Sequence, residues 1–249
     1  MNENRAAGVW AAIAAAARDE AAPVALRHVC LACADAVSAD DAALLLASTL
    51  HTWEVAYAMN PLGEELVELQ TTYGEGPALD AAAGFDPVLV PELGSAASNS
   101  RWPAYGPDAV RAGAAAQFSF PLRVGAVRLG ALELYRRRPG SLTSAELADA
   151  TIYADAALAI VLNTRAGSVD GQRATEADFL SRGAELHQAA GMVSVQLGVP
   201  VGEAMVRLRA HAYRHGERLR DVAHAVVARR LRFERSQAGG DGRAEGERT

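Results

Sequence analysis

Short apolar runs and helical apolar patterns alternate in the first part of the chain. Residues 8–20 and 23–37 have helical composition, and Pro23 suits a first helical turn because its missing N–H is not needed there. The runs DAALLLAS at 41–48 and TWEVAYAM at 52–59 are bounded by turn-forming residues, which is typical of strands. This order predicts two helices that lead into a sheet.

The middle of the chain has a less regular pattern. PLGEELVELQ at 61–70 predicts a short helix, YGEGPALD predicts turns, and PVLVPEL predicts a brief strand. SNSRWPAYGPDAVRAG at 98–113 predicts a loop with one short helix, since its prolines and glycines exclude a long regular element.

The clearest hairpin pattern lies at 116–137. AQFSFPLRV and VRLGALELYRR flank the turn VGAV and alternate apolar with polar residues, as half-buried strands do. Helices, strands, an irregular middle, a hairpin and a closing helix together indicate an α+β domain with an antiparallel sheet flanked by helices.

Helical periodicity replaces the strand patterns after residue 141. Thr143, with Glu146 three residues later, has the spacing of a capping box and predicts a helix start. Two stripes then follow at spacings of three and four. They are Leu147, Thr151, Ala154, Leu158, Val161 and Arg165, and Phe179, Gly183, Leu186, Ala190, Val193 and Leu197. Paired helices have this seam geometry, so we expect a homodimer through at least one stripe; the alternative is that each stripe packs within its own domain.

Two more helices are predicted after residue 200. VGEAMVRLRAHAYRHG at 201–216 places its apolar residues on one face and ends at a glycine, as helices often do. ERLRDVAHAVVARRLRF at 217–233 repeats the pattern. Together with a helix at 174–197, these segments predict an all-α three-helix unit.

Charge is distributed unevenly along the chain. The net charge is −6 and lysine is absent, yet the segment from Gly183 to Arg235 contains nine arginines against five acidic residues. Arg207, His211 and Arg214 share one helix face, and arginine suits phosphate because its planar guanidinium donates paired hydrogen bonds. A basic face is also a common solvated face, and arginines near a helix C-terminus favour the helix dipole. Charge alone leaves both interpretations open.

The segment ELHQAAGMVSVQLGVPVGEAMVRLRAHAYRHGERLRDVAHAVV at 185–227 resembles an ANTAR domain, the RNA-binding module of bacterial transcription antiterminators. The matching positions are Ala190-Gly191-Met192, Gly198, Glu203-Ala204, Leu208-Arg209, Ala212, and the run from Leu219 to Val227. One position departs from the family. Many members have lysine where this chain has Ala190, which puts one basic contact in doubt.

The ANTAR resemblance implies a homodimer that holds paired RNA hairpins and favours an antiterminator over a terminator in a nascent transcript. The residues assigned to RNA contact are Arg207, Arg209, His211, Tyr213, Arg214, Arg218, Arg220 and Arg229. Arginines would bind phosphates, and Tyr213 or Phe233 would stack on a base. The rival interpretations are a DNA-binding helix-turn-helix regulator built from the last two helices, and a protein-interaction scaffold without catalysis.

LQTTYGEGPALDA, RWPAYG and FSFPLRVGAVRLGALELYRRRPGSLT resemble the GAF-type sensor domain found ahead of ANTAR domains in actinobacteria. This likeness implies a GAF-like antiparallel sheet with a small-molecule signal bound above it, under the irregular middle segment. The residues assigned to that pocket are Tyr73, Glu75, Arg101, Trp102 and Tyr105, facing Phe118 and Phe120. Trp102 is equally a candidate structural plug, and Glu75 a candidate turn cap.

These readings divide the chain into an N-terminal helix (1–22), a GAF-like sensor domain (23–166), a linker (167–173), an ANTAR-like RNA-binding domain (174–235) and a disordered tail (236–249). The tail is polar and rich in glycine, a composition typical of disorder.

Several other functions lack their motifs. The sequence has no P-loop, no G-x-S-x-G and no H-E-x-x-H, so we expect no enzyme activity. Cys30 and Cys33 form a lone C-x-x-C that we interpret as small apolar residues on a helix, and His28 and His51 are weak candidates for haem, so we expect no metal and no cofactor. The apolar run at 10–17 is too short to span a membrane, and we expect a cytoplasmic protein.

Overall fold

An antiparallel sheet flanked by helices, followed by three further helices, makes up residues 2–49, 52–167 and 176–234, which the computed structural model describes. The strands are β1 (Asp41–Thr49), β2 (Thr52–Ala58), β3 (Val88–Val90), β4 (Ala116–Val124) and β5 (Val127–Arg136). The helices before and between the strands are α1 (Asn2–Asp19), α2 (Leu26–Ala36), α3 (Pro61–Tyr73), α4 (Pro77–Ala83), α5 (Ala96–Arg101) and α6 (Tyr105–Ala112). The later helices are α7 (Ser144–Gly167), α8 (Glu176–Leu197), α9 (Val201–His215) and α10 (Leu219–Val227). The predicted α+β fold class is confirmed.

The sheet has the strand order β2-β1-β5-β4-β3, and every neighbouring pair is antiparallel. Side chains alternate between its two faces because successive residues of a strand point in opposite directions. On the first face, residues such as Leu44 and Phe118 pack with α1, α2 and α7. On the second face, residues such as Leu45 and Tyr135 pack with α3, α4 and α6. The two faces therefore have separate cores.

The local patterns located most elements of this domain correctly. The hairpin of β4 and β5 closes at the pair Val124 and Val127, as predicted from VGAV. The capping box at α7 is present, because the Glu146 amide donates to Thr143 Oγ1 at 3.2 Å and the Thr143 amide donates to Glu146 Oε2 at 2.6 Å.

Two predictions for the middle segment are corrected. YGEGPALD contains the start of helix α4 rather than turns alone, because Pro77 occupies the first turn of that helix, where proline is tolerated, and Gly76 before it has a φ of 142°. The segment 98–113 contains the end of α5 and all of α6, two short helices where one was predicted. Prolines at 103 and 107 do not prevent a second helix, since Pro107 lies in the first turn of α6.

The last three helices form the three-helix unit around a core of their own. Leu186 and Val193 of α8, Leu208 of α9 and Val222 of α10 are buried together. The predicted helix at 217–233 is too long: α10 ends at Val227 because Arg229 takes a φ of 59°, which is incompatible with a continuing right-handed helix. Residues 228–234, the last that the structure describes, are not helical.

Both apolar stripes pack inside the chain. Ala154 and Val161 of the first stripe are buried against the sheet, and Leu186 and Val193 of the second are buried in the three-helix unit. The stripes therefore provide core packing, which was the alternative to a dimer seam. For Arg165, Phe179 and Gly183 the structure describes the helical backbone only.

Several remaining expectations concern single segments. The predicted linker after Gly167, the predicted tail at 236–249 and His51 lie outside the described residues. Cys30 and Cys33 are free and fully buried in the core, where burial raises the pKa of both thiols, so they behave as apolar residues.

No single described helix is long and apolar enough to cross a membrane; Glu185–Leu197 and Val201–His215 pass that test only as a pair, bent by 102°.

Candidate nucleic-acid interface

Helix α9 presents polar side chains on both sides of its buried stripe. Ala204, Met205, Leu208 and Ala212 point into the core of the three-helix unit. At about 100° per residue, Arg207, His211 and Arg214 fall on one side of that stripe, which we call the open flank. Arg209 and Tyr213 fall on the other side, which we call the docked flank. The eight predicted RNA contacts thus do not form one surface.

The open flank carries solvent-exposed cations. Arg214 is exposed, and Arg207 is exposed with one ion pair to Glu203 a helical turn earlier, at 3.1 Å. Exposed i,i+4 pairs of this kind are weak, so a phosphate could replace the carboxylate. Both guanidiniums are therefore accessible to a nucleic-acid backbone.

His211 lies in an aromatic cluster at the same flank. Its ring stacks on His215 at 4.1 Å between centroids and meets the edge of Phe233 at 5.3 Å. Burial lowers the pKa of His211, and the neighbouring His215 and Arg214 charges lower it further. The lowered pKa favours the uncharged ring, which suits stacking or a neutral hydrogen bond to a base better than a phosphate contact.

The docked flank lies against helix α3 of the sheet domain. Arg209 Nε donates a hydrogen bond to the backbone carbonyl of Thr71 at 3.1 Å, and burial lowers the pKa of its guanidinium. The ring of Tyr213 meets the ring of Tyr73 edge-on at 5.3 Å while remaining 59% exposed. Arg209 is therefore engaged within the chain, whereas Tyr213 is only partly covered.

The start of α10 continues this contact with α3. Arg220 Nη1 lies 2.7 Å from Glu68 Oε1 and 3.1 Å from Glu64 Oε1, and Arg218 Nε lies 3.1 Å from Glu68 Oε2. The Leu219 amide donates to Thr72 Oγ1 at 3.3 Å. First-turn amides of a helix have no partner within the helix, so Thr72 supplies a cap for α10 from another domain.

We call this set of interactions the α3 contact; its members are Glu64, Glu68, Thr71 and Thr72 on α3, and Arg209, Arg218, Leu219 and Arg220 in the three-helix unit. Sequence reasoning missed the α3 side. Glu64 and Glu68 form an acidic i,i+4 pair, a charge pattern complementary to the arginines. That pattern was the available signal, but more than 100 residues separate the partners along the chain.

Three further arginines lie past the end of α10. Arg229 is exposed with left-handed backbone, and Arg230 and Arg232 are also exposed. Ala190, the position where many ANTAR domains have lysine, is fully buried in the core of the three-helix unit. Alanine there contributes packing, and a lysine would have to extend past that core to reach solvent.

Five of the seven predicted sensor-pocket residues lie on the second face of the sheet. Most of them form hydrogen bonds with other residues of the same region. Tyr73 donates to Asp108 at 2.5 Å, and Glu75 accepts from the Ala104 and Tyr105 amides at 2.7 and 2.9 Å. Glu75 thus caps the start of α6, which is the turn-capping alternative. Arg101 and the Trp102 indole both bind Asp80. Trp102 is buried, as a structural plug would be.

Phe118 and Phe120 do not face this group. They lie on the first face of the sheet, in the core with α1, α2 and α7, so the expectation that they face Tyr105 is wrong. The alternation of β4 explains this placement, because Gln117 and Ser119 occupy the second face instead.

A buried polar network that sequence reasoning missed lies on that second face. Glu133 Oε2 accepts from Gln70 at 2.7 Å and Gln117 at 2.9 Å, and also from the Tyr135 hydroxyl. The Tyr105 hydroxyl donates to Gln117 at 2.6 Å. Burial raises the pKa of Glu133 to about 7, although its hydrogen bonds oppose the rise. Gln70 belongs to α3, so this network fixes α3 to the sheet.

Comparison with family models identifies the three-helix unit. Residues 180–227 match the model described as the ANTAR domain, which includes most of α8 and all of α9 and α10. The resemblance inferred from residues 185–227 is confirmed. No curated protein matches the sequence.

Solved structures of GAF domains are similar to this protein. The GAF domain of a phosphoenolpyruvate-protein phosphotransferase (ptsP) from Coxiella burnetii is 16% identical with a TM-score of 0.49, and the match covers 66% of this chain and 99% of that one. The GAF domain from an Acinetobacter phosphoenolpyruvate-protein phosphotransferase is 13% identical with a TM-score of 0.48, covering 68% of this chain and 98% of that one.

Proposed function

We propose that this protein, which carries an ANTAR domain at residues 180–227, is an RNA-binding transcription antitermination regulator. The observation that carries the proposal is the open flank, where Arg207 and Arg214 are exposed on a helix of that domain beside the ring of His211. Such a surface offers guanidiniums for phosphates and a flat ring for an unpaired base, the two contacts that hairpin-loop recognition uses. The protein acts without catalysis and, because nascent transcripts are its targets, in the cytoplasm.

The eight candidate RNA contacts have distinct roles in this proposal. Arg207 and Arg214 bind phosphates from the open flank, and His211 contacts a base. Arg229, past the end of α10, binds phosphate outside the helices. The four remaining residues, Arg209, Tyr213, Arg218 and Arg220, are partly covered by α3 and present their full contact surface to RNA only when the three-helix unit separates from α3.

The sheet domain is the sensor in this proposal, of the GAF type that precedes ANTAR domains in actinobacteria. Its small-molecule signal binds on the second face, near Tyr73, Glu75 and Tyr105, with Arg101 and Trp102 at the edge. Phe118 and Phe120 shape that site only from beneath the sheet. The sensor spans 23–166 and the RNA-binding domain 174–235.

A binding titration tests the proposed function. We expect tight binding to a tandem-hairpin RNA, much weaker binding when one hairpin is deleted, and weak, salt-sensitive binding to duplex DNA of equal charge. Equal binding to RNA and DNA that vanishes at higher salt would contradict the proposal. That outcome would favour the hypothesis of a protein-interaction scaffold, whereas a preference for duplex DNA would favour a DNA-binding regulator.

The Arg207→Ala/Arg214→Ala double variant tests the open flank. We expect its RNA affinity to fall about tenfold to a hundredfold, as the loss of one or two charge-assisted hydrogen bonds would produce. Its thermal stability should stay unchanged because both side chains are exposed. The matched control is Arg137→Ala/Arg138→Ala, which removes two exposed charges from the sheet domain. An equal loss in both variants would show only a general charge effect.

A homodimer would hold two hairpins at once and raise affinity by linking two contacts. The described part of α8 has a shallow, open groove on its outer surface, lined by Gln188, Met192 and Val195, in which Val195 is 82% exposed. We propose this groove as the dimer contact, since the two buried stripes are occupied within the chain.

Val195→Glu tests the dimer. A carboxylate in an apolar contact should convert the dimer to a monomer, measured by light scattering, and should abolish the preference for two hairpins over one. The monomer should stay folded because the residue is exposed. Val127→Glu, at a 60% exposed position on the hairpin, is the control. A dimer that persists in Val195→Glu would place the interface elsewhere.

A further inference from the structure

Four candidate RNA contacts have partners on α3. Arg209, Arg218 and Arg220 bind α3 through a carbonyl or carboxylates, and Tyr213 packs on Tyr73. A guanidinium that faces a carboxylate directs its paired N–H groups at that carboxylate, and a phosphate requires the same groups. The α3 contact and RNA therefore compete for the same atoms.

We propose that the α3 contact is autoinhibitory: α3 occupies half of the RNA-binding surface with Glu64 and Glu68 and must separate from the three-helix unit before RNA binds with full affinity. This inference rests on the proposed RNA-binding function. It adds the identity of the inhibitory element and the residues through which it acts.

The α3 contact is weak enough to open reversibly. The side chains of Arg218 and Arg220 are each 50% exposed, and ion pairs at that exposure contribute little. Glu68 is only 10% exposed, and its burial raises the carboxyl pKa despite the neighbouring Arg220 and Arg218. The cost of burying this carboxylate offsets part of the ion-pair attraction, so RNA can displace α3.

The position of α3 also links the contact to the sensor. Gln70 of α3 binds Glu133 in the buried network, and Tyr73 at its end contacts both Asp108 of the sheet domain and Tyr213 of the three-helix unit. Tyr73 is one of the candidate pocket residues. A change at the second face of the sheet therefore acts directly on the element that covers the arginines.

The test compares full-length variants in binding to the tandem-hairpin RNA. Glu64→Gln/Glu68→Gln removes both charges from the contact with little change in shape, and we expect its RNA affinity to rise roughly fivefold or more, as for typical coupling between sites. The control is Glu65→Gln/Glu92→Gln, which removes two exposed charges, one of them on the same helix. A rise of the same size in the control would overturn the proposal.

Thr72→Val is a second variant that leaves the charge unchanged. It removes the hydroxyl that accepts a hydrogen bond from the Leu219 amide, and we expect a smaller rise in RNA affinity, about two- to fivefold, equivalent to one neutral hydrogen bond. Amide hydrogen exchange of residues 217–222 without RNA reports opening directly. We expect faster exchange in both variants than in wild type.

The outcomes separate the two proposals. Faster exchange with unchanged RNA affinity would show that the contact opens without exposing RNA-binding groups and would overturn the inference alone. Unchanged exchange would also overturn it, because the contact would not depend on these residues. Absence of loop-dependent RNA binding in wild type and in both variants would refute the proposed function, and the inference with it.

Discussion

The two sides of helix α9 carry the same kinds of residue in different surroundings. Arg207 and Arg214 on the open flank are exposed to solvent, whereas Arg209 on the docked flank is partly buried and bound to the Thr71 carbonyl. An aromatic ring accompanies each flank, His211 on one and Tyr213 on the other. The difference shows that arginine on the outside of a helix does not by itself identify a nucleic-acid surface. An acidic helix from the same chain can occupy it.

The docked flank depends on α3 keeping its position on the sheet. The substitution Glu133→Gln tests the buried network that holds α3 there, and we expect it to have the largest effect on stability. Burial raises the pKa of Glu133 from 4.5 to about 7 in the folded chain. The folded state then holds a proton that the unfolded state releases, so wild-type stability should fall as pH rises from about 4.5 to about 7 and level off above that.

Glu133→Gln should remove this pH dependence, which lowers the wild-type free energy of unfolding by on the order of 3 kcal/mol between about pH 4.5 and 7. Melting temperatures of wild type and variant, measured between pH 4.5 and 8.5, check it. The variant should gain relative stability toward pH 8. Parallel pH profiles for the two proteins would show that Glu133 does not change its protonation state on folding.

Single substitutions on the two flanks test the comparison itself and should have smaller effects. Arg209→Ala should lower the free energy of unfolding by about 1.5–3 kcal/mol, because it removes a partly buried hydrogen bond from a charged donor. Arg207→Ala should change it by no more than about 0.5 kcal/mol, as surface substitutions usually do. Urea unfolding of both variants measures the difference. Equal effects would mean that the flanks are energetically alike.

Local patterns predicted much of this fold. The capping box of Thr143 and Glu146 and the hairpin around VGAV depend on residues close together in sequence, and both were located correctly. The three-helix unit followed from apolar residues at helical spacing, with its ANTAR resemblance confirmed over 180–227. In each case the predictive signal lies in residues that are close together in the sequence.

Two errors concern local features of the chain. Phe118 and Phe120 were assigned to the wrong face of the sheet, although the alternation with Gln117 and Ser119 carried that information. The end of α10 depends on one left-handed residue, Arg229, that no glycine marks.

The α3 contact joins segments that are more than 100 residues apart, and only complementary charge pointed to it. Interfaces of this kind depend on how two units are placed in space, which periodicity does not report. The sequence therefore predicted which residues belong to the candidate site, but only part of the contacts that surround them in the structure.

Arginine modification by a dicarbonyl reagent, followed by mass spectrometry with and without tandem-hairpin RNA, tests the central claim most directly. Without RNA, Arg207 and Arg214 should react much faster than Arg209, and RNA should protect both of them. If Arg209 reacts as fast as Arg214 in the free protein, or if RNA leaves Arg207 and Arg214 unprotected, the division of α9 into an RNA-binding flank and a docked flank is contradicted.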